Sequence, residues 1–209
     1  MRPAPNILYR CTYLTGCAGG PIAVNPFRAG ELILVVDRRG GRHLVRLETG
    51  GEFHFHDGVI AHDDLIGQDE GISVQSRLGR LVRAYRPRMH DYLLEMPRAS
   101  AVVYPKDVAF LLVWGDIFPG ARVFEAGVGS GAVAIALLRA IGPRGTLVTY
   151  DRRLDMIEQA LANARAFLGE TPNWIRRQRD VDEGIVDGPF DRIVFDLPDP
   201  GAVALRAAE

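Results

Sequence analysis

Cysteine is scarce in this chain. Cys11 and Cys17 are the only two, with no second pair, so neither a disulfide framework nor a cysteine-based zinc site is supported and both read as ordinary thiols. Long apolar runs are missing as well. None approaches the ~20 residues needed to span a bilayer, and residues 1–20 lack the uninterrupted apolar stretch of a signal peptide. No membrane partner is expected, and a cytoplasmic site is the default. The net charge is only −1, which argues against a wholesale non-specific nucleic-acid binder. Averages hide patches, however. Between residues 76 and 106 the basic residues are Arg77, Arg80, Arg83, Arg86, Arg88, Arg98 and Lys106, against only Asp91 and Glu95. Residues 139–179 are also basic, with Arg152, Arg153, Arg176 and Arg177 in pairs. Each is either a solvated surface arginine or part of a phosphate-binding face.

What is present suffices for a real core. With 209 residues and 47% hydrophobic content, the chain can form one large domain or two small ones. Residues 1–21 carry prolines and glycines with no sustained period and read as a poorly ordered lead-in, with a short strand at 7–13. Strand patterns follow at 31–37 and 43–48 around a glycine-bearing turn, then at 52–56, 58–60, 73–75 and 81–85. Short strands at such spacing predict a small all-β barrel or sandwich over 22–88.

Residues 89–106 read as a linker with one helical turn at 91–96. A helix is expected over 108–117, with Asp107 as its cap. From there β and α patterns alternate: strand 122–125, helix 132–141, strand 147–150, helix 154–168, and strands 174–178 and 192–196. That alternation predicts a parallel sheet with helices on both faces over 107–209.

His54, His56 and His62 raise a metal question, since alternate strand positions share a face. No cysteine or fixed carboxylate spacing completes a ligand set. Turn and surface histidines are the expected reading, with no metal.

The strongest signal is the stretch 123–133, V-F-E-A-G-V-G-S-G-A-V. A strand stops at Glu125, Gly127, Gly129 and Gly131 let backbone approach a ligand, and a helix starts near Ala132. The spacing E-x-G-x-G-x-G resembles the first motif of class I S-adenosylmethionine-dependent methyltransferases more than a dinucleotide fingerprint. A carboxylate beside the glycines suits a cationic methionine better than a pyrophosphate. The bland alternative is a glycine-rich turn without ligand. Asp151 ends the second strand about twenty residues on, where it either accepts ribose hydroxyls or caps the next helix. Asp180 ends the third strand and either accepts from an adenine amino group or is a solvated loop aspartate. Asp196, in I-V-F-D-L-P-D-P, reaches the carboxyl edge of the sheet at the switch point. It resembles the fourth motif of base-amino methyltransferases, where a carboxylate orients an exocyclic amine.

Taken in order, M-P-R at 96–98, Y-P-K-D at 104–107, D-I-F-P-G at 116–120, E-A-G-V-G-S-G at 125–131 and D-L-P-D-P at 196–200 give the chain its resemblance to the tRNA (adenine-58-N1)-methyltransferase family. The resemblance covers about residues 27–200, because F-R-A-G, G-G-E-F-H-F-H-D-G-V-I and H-D-D-L-I-G resemble the family's N-terminal barrel. It implies a Rossmann-like α/β methyltransferase domain behind a small all-β barrel-like domain, S-adenosyl-L-methionine as cofactor, and tRNA as partner. It also implies a homo-oligomer, tetrameric in the family, that methylates N1 of adenine 58 in the T loop.

Carried over residue by residue, Asp196 holds the target adenine's amino group. Glu125, Ala126, Gly127, Gly129, Ser130 and Gly131 form the donor loop, Asp151 binds the ribose, and Asp180 lies near the donor adenine. Tyr104 lines the mouth of the site. Lys106, the only lysine, is read equally as positional, as packing or as surface charge. Gly201 stands where the family's fourth motif carries an aromatic residue.

Thirteen residues follow Asp196, fewer than the family's domain carries, so the chain is expected to be a C-terminally shortened form with an incomplete sheet. Residues 193–195 would then form an unprotected edge, with association or instability as the consequence. A truncated inactive homologue, or a non-catalytic tRNA-binding partner subunit, is the competing reading.

Overall fold

The computed structural model describes residues 25–201, 203 and 204. The expected lead-in at 1–21 and the strand at 7–13 lie outside the described residues.

The β region begins with β1 (Leu32–Asp37) and β2 (Arg42–Arg46), then β3 (Glu52–Phe55), β4 (Gly58–Ala61), β5 (Ser73–Gln75) and β6 (Leu81–Tyr85). Four of them form an antiparallel sheet in the order β2-β1-β6-β5, while β3 and β4 pair only with each other. The strands thus form two sheets enclosing one core rather than one continuous ring. Alternation along the strands explains that core: Ile33 and Val35 of β1 and Val82 and Ala84 of β6 turn inward to meet Phe27, Val45, Leu47, Ile60 and Leu65. The opposite face is used too. Leu32 and Leu44 pack against the helical part of the molecule.

The helical part starts earlier than expected. Within 89–106 lies α1 (Met89–Glu95), and its Tyr92 and Leu93, with Met96 just beyond, belong to the main core. The Tyr92 hydroxyl donates to the Asn163 carbonyl at 2.8 Å, and the ring stacks on Phe167. Asp91, buried in the first turn, accepts from the Arg88 N–H and pairs with Arg42 of β2.

The next helix, α2 (Pro105–Trp114), differs from expectation at its start. Tyr104 is the N-cap and Asp107 does not cap. Proline at the first helical position has no N–H to satisfy and a preset φ, so the helix begins there and Asp107 falls inside the first turn, facing the positive end of the helix dipole.

β7 (Arg122–Ala126), β8 (Thr146–Asp151), β9 (Trp174–Gln178) and β10 (Arg192–Phe195) form a parallel sheet ordered β10-β7-β8-β9, with α3 (Ala132–Ile141) and α4 (Leu154–Leu168) as crossovers. Eight of the ten residues of α3 are buried, so packing rather than propensity holds it. α1, α2, α3 and α4 pack on the face carrying Val123 and Leu147. The other face, with Phe124, Val148 and Tyr150, is covered by Val181, Ile185, Phe190 and Val203, the last of which is itself helical. Order explains this: β7, β8 and β9 advance in one direction, so both right-handed crossovers fall on one side. The return to β10 is made among the described residues by a 3-10 turn and loop. β10 is an outer strand of the described sheet, with Ile193 exposed and Val194 buried.

Candidate active site

The glycine loop between β7 and α3 is built on backbone geometry that other residues resist. Gly127 has φ +87°, and a Cβ there would stand 2.2 Å from the Asp196 carbonyl oxygen. Gly131, at φ +87°, is the N-cap of α3, and its missing side chain lets Ala160 of α4 approach. At Gly129 the only neighbour of such a Cβ is the Ser100 hydroxyl, at 3.3 Å, so this glycine leaves open space above the loop.

Asp151, at the end of β8, performs two structural tasks. One carboxylate oxygen accepts the Val128 N–H at 2.9 Å, and the other accepts the Arg153 N–H, also at 2.9 Å. The loop is therefore tied to the neighbouring strand end. Each oxygen keeps a second lone pair for a ligand hydroxyl.

Glu125 is fully buried on the helix-packed face. The Thr149 hydroxyl donates to its Oε2 at 2.7 Å and in turn accepts from the Trp174 indole at 2.8 Å. Its Oε1 has no hydrogen-bond partner among the described residues. Burial pushes the carboxyl up to about 8, with the nearby Asp196 and Asp151 carboxylates adding to the shift. At neutral pH without a cation it is mostly protonated.

Asp196 follows β10, which pairs with β7 so that Val194 faces Glu125 and Phe195 faces Ala126. Its N–H donates to the Ala126 carbonyl at 2.9 Å. The residue is exposed at the sheet edge, and the partial desolvation of its carboxyl raises the pKa from its ordinary value. Glu125, Ala126, Gly127, Asp151 and Asp196 are thus brought together at one end of the sheet.

The remaining expected residues have partners of their own. Asp180 lies two residues past β9, where its side chain accepts the Asp182 N–H and faces Arg152 at 3.6 Å. Tyr104 is 58% exposed at the start of α2. Ser130 is buried, its hydroxyl 3.3 Å from that of Ser100. His54, His56 and His62 do not converge: His54 faces Glu52, and His62 Nδ1 accepts the Glu48 N–H.

Comparison with known proteins bears on this geometry. Residues 26–74 match a family described as TrmI-like N-terminal, and residues 85–209 match the family described as tRNA methyltransferase complex GCD14 subunit. A tRNA (adenine(58)-N(1))-methyltransferase TrmI of Thermus thermophilus is 34% identical over 176 residues, covering 84% of this chain and 69% of the relative. The chain belongs to the tRNA (adenine-58-N1)-methyltransferase family. A member of this family from Methanocaldococcus jannaschii, named for adenines 57 and 58, is 31% identical, covering 83% of this chain and 69% of its own. Among solved structures, an S-adenosylmethionine-dependent O-methyltransferase from Thermotoga maritima superposes with a TM-score of 0.79 at 28% identity, covering 87% of this chain and 69% of that one. TrmI of Aquifex aeolicus gives 0.70 at 25% identity, with 84% and 68% covered. The fold is that of class I methyltransferases.

Seen within this family fold, the sequence reading missed one organising residue. Asn163, buried in α4, donates from Nδ2 to the Ser130 carbonyl at 2.9 Å and to the Pro97 carbonyl at 2.8 Å. It clips the glycine loop to the chain entering from α1. A signal existed: Asn163 lies on the same helical face as Met156, Ile157, Ala160 and Ala164, where an amide requires partners.

Proposed function

We propose that the chain transfers a methyl group from S-adenosylmethionine to N1 of adenine 58 in the T loop of tRNA. The observation that carries this reading is the pairing of β10 with β7, which brings Asp196 out beside Gly127, so that a base-orienting carboxylate adjoins the donor loop. The donor also fits the residues present. Glu125 Oε1 is a buried acidic oxygen without a partner below the loop, suited to the cationic end of the donor, and Gly129 leaves room above it.

S-adenosylmethionine supplies an electrophilic methyl group on a positively charged sulfur. In this reading Ala126, Gly127, Gly129, Ser130 and Gly131 offer backbone to the donor, Asp151 accepts its ribose hydroxyls, and Asp180 lies near its adenine. Asp196 accepts from the exocyclic amine of the target adenine and holds N1 towards the methyl group. As N1 acquires positive charge, the carboxylate stabilises it and stands ready for the amine proton. Tyr104 borders the mouth. The intact loop and Asp196 favour catalysis over a non-catalytic partner subunit.

Among the described residues, Arg77, Arg86 and Arg88 are engaged with Glu52, Glu31 and Asp91. Arg80, Arg83 and Arg98 are exposed and form no ion pair among the described residues, and we assign them to tRNA phosphates. We read residues 22–88 as a β module, 89–106 as its connection and 107–209 as the donor-binding domain, with α1 contributing to the latter's core. A homo-oligomer, a tetramer as in the family, is supported by the face of α2 that exposes Phe110, Val113 and Trp114. No described helix is long and apolar enough to cross a membrane, and a cytoplasmic site is the reading we adopt.

The test is calorimetric titration with S-adenosylmethionine together with methyl transfer to unmodified tRNA, for the wild-type chain and Asp196→Ala. The variant should bind donor as the wild type does and lose at least ~100-fold in transfer. Retained turnover would remove Asp196 from its role. A folded wild-type chain that binds no donor would sink the whole reading.

A further inference from the structure

In the β region, two histidines and an aspartate from different elements meet. Asp37 ends β1, His43 lies on β2 opposite Val35, and His56 follows β3. Asp37 Oδ2 stands 3.5 Å from His43 Nε2 and 3.8 Å from His56 Nε2, and the three atoms all lie within 4.8 Å of one another. The Asp37 side chain is 1% exposed. Oδ2 and His43 Nε2 are buried and lie within ion-pair distance of each other, with no hydrogen bond to either atom among the described residues.

The surroundings hold this arrangement in place. Asp37 Oδ1 accepts the N–H groups of Arg39 at 2.7 Å and Gly41 at 2.8 Å, which turns Oδ2 towards the histidines. A side chain at position 41 would fall 2.2 Å from Oδ2, so the glycine keeps that space free. The His43 ring sits 5.3 Å from Phe53 and 6.1 Å from Phe55, which fixes its plane. Ligands about 2.0–2.1 Å from a tetrahedral ion lie about 3.3 Å apart, close to the 3.5 and 3.8 Å spacings from Asp37 Oδ2, and the two imidazole nitrogens would draw together around the ion.

We propose that Asp37, His43 and His56 form a binding site for a divalent transition-metal ion of the zinc class, stapling the β3–β4 hairpin to the β1–β2 hairpin. Two imidazoles and one carboxylate are a donor set such ions accept. The Asp37 hydrogen bonds to backbone supply the outer support that metal-binding carboxylates use. The fourth position is left to water, while Asp57 Oδ2, 3.4 Å from His56 Nε2, contacts that imidazole alone. The histidine pattern H-x-H at 54–56 contributes only one ligand. The other two come from the preceding hairpin, which is why spacing along the chain conceals the site.

The test uses the full chain without an affinity tag, stripped of metal with a chelator, then titrated with Co2+ and Zn2+. One equivalent of cobalt should bind with visible absorption bands that zinc abolishes, and saturating zinc should raise the unfolding midpoint by about 5 °C. His56→Ala, at an exposed position, should melt like the metal-free wild type and show neither response. Asp37→Asn keeps an oxygen for the turn and should weaken binding at least ~10-fold. The proposal fails if the wild type shows no cobalt bands and no shift, for then the cluster is an imidazole–carboxylate contact only. It fails equally if His56→Ala binds as the wild type does, since the ion would then sit elsewhere.

Discussion

The α/β region and the β region differ in how their elements are tied to one another. Around the glycine loop Asp151 accepts two backbone N–H groups from neighbouring segments, and Asp196 is placed by a strand pairing. In the β region ion pairs tie one element to another, as Arg42 of β2 does with Asp91 and Glu95 of α1, and Arg86 with Glu31. Backbone anchoring tolerates little change and preserves position. Side-chain pairing is adaptable, and for pairs near solvent each contributes only about 0–1 kcal/mol. The difference accords with the division of labour proposed above, in which the donor needs a rigid cradle and the tRNA a broad surface.

Ile33→Ala is the strongest way to break that comparison. Ile33 is fully buried in the β core, and its truncation should cost about 2–5 kcal/mol in denaturant unfolding. Affinity for tRNA should fall while donor binding by the folded fraction persists. Equal loss of both would show that the two regions act as one unit.

Asn163→Ala sharpens the comparison from the other side. The Ser130 and Pro97 carbonyls would lose their buried partner, at a cost of about 1–3 kcal/mol, and donor affinity should drop because the loop loosens. Unfolding curves and donor titration on one sample check this. Unchanged affinity would leave Asn163 as a packing residue only.

The last test reads a pH slope and concerns Glu125. Its folded-state value, about 8, lies above its ordinary 4.5, so the native state holds the proton more tightly than the unfolded state. The stability this provides is fully present below pH 4.5 and is lost as pH rises to about 8, at about 1.4 kcal/mol per pH unit within that window. Glu125→Gln should remove the slope, gaining on the wild type between pH 5 and pH 8 in unfolding measurements. Parallel pH profiles would contradict the burial argument.

Much of this architecture is legible in the chain. The bounds of α3, α4, β5, β6 and β9 follow from period and glycine punctuation, because each is a local pattern that packing reinforced. The start of α2 was misread because Asp107 resembles a cap, while the rigid ring of Pro105 sets the helix start. Asn163 was overlooked because its partners, Pro97 and Ser130, are remote in sequence.

By itself the sequence determined the order of strands and helices, the glycine loop after the first parallel strand, and an aspartate after the fourth, since these depend on neighbours along the chain. Tertiary structure alone decided that Glu125 is buried with its pKa raised, that Asp151 restrains the loop, that α1 to α4 share one face, and that Asp37 meets His43 and His56. Desolvation and convergence arise from groups far apart in the chain, and only folding brings them within reach of one another.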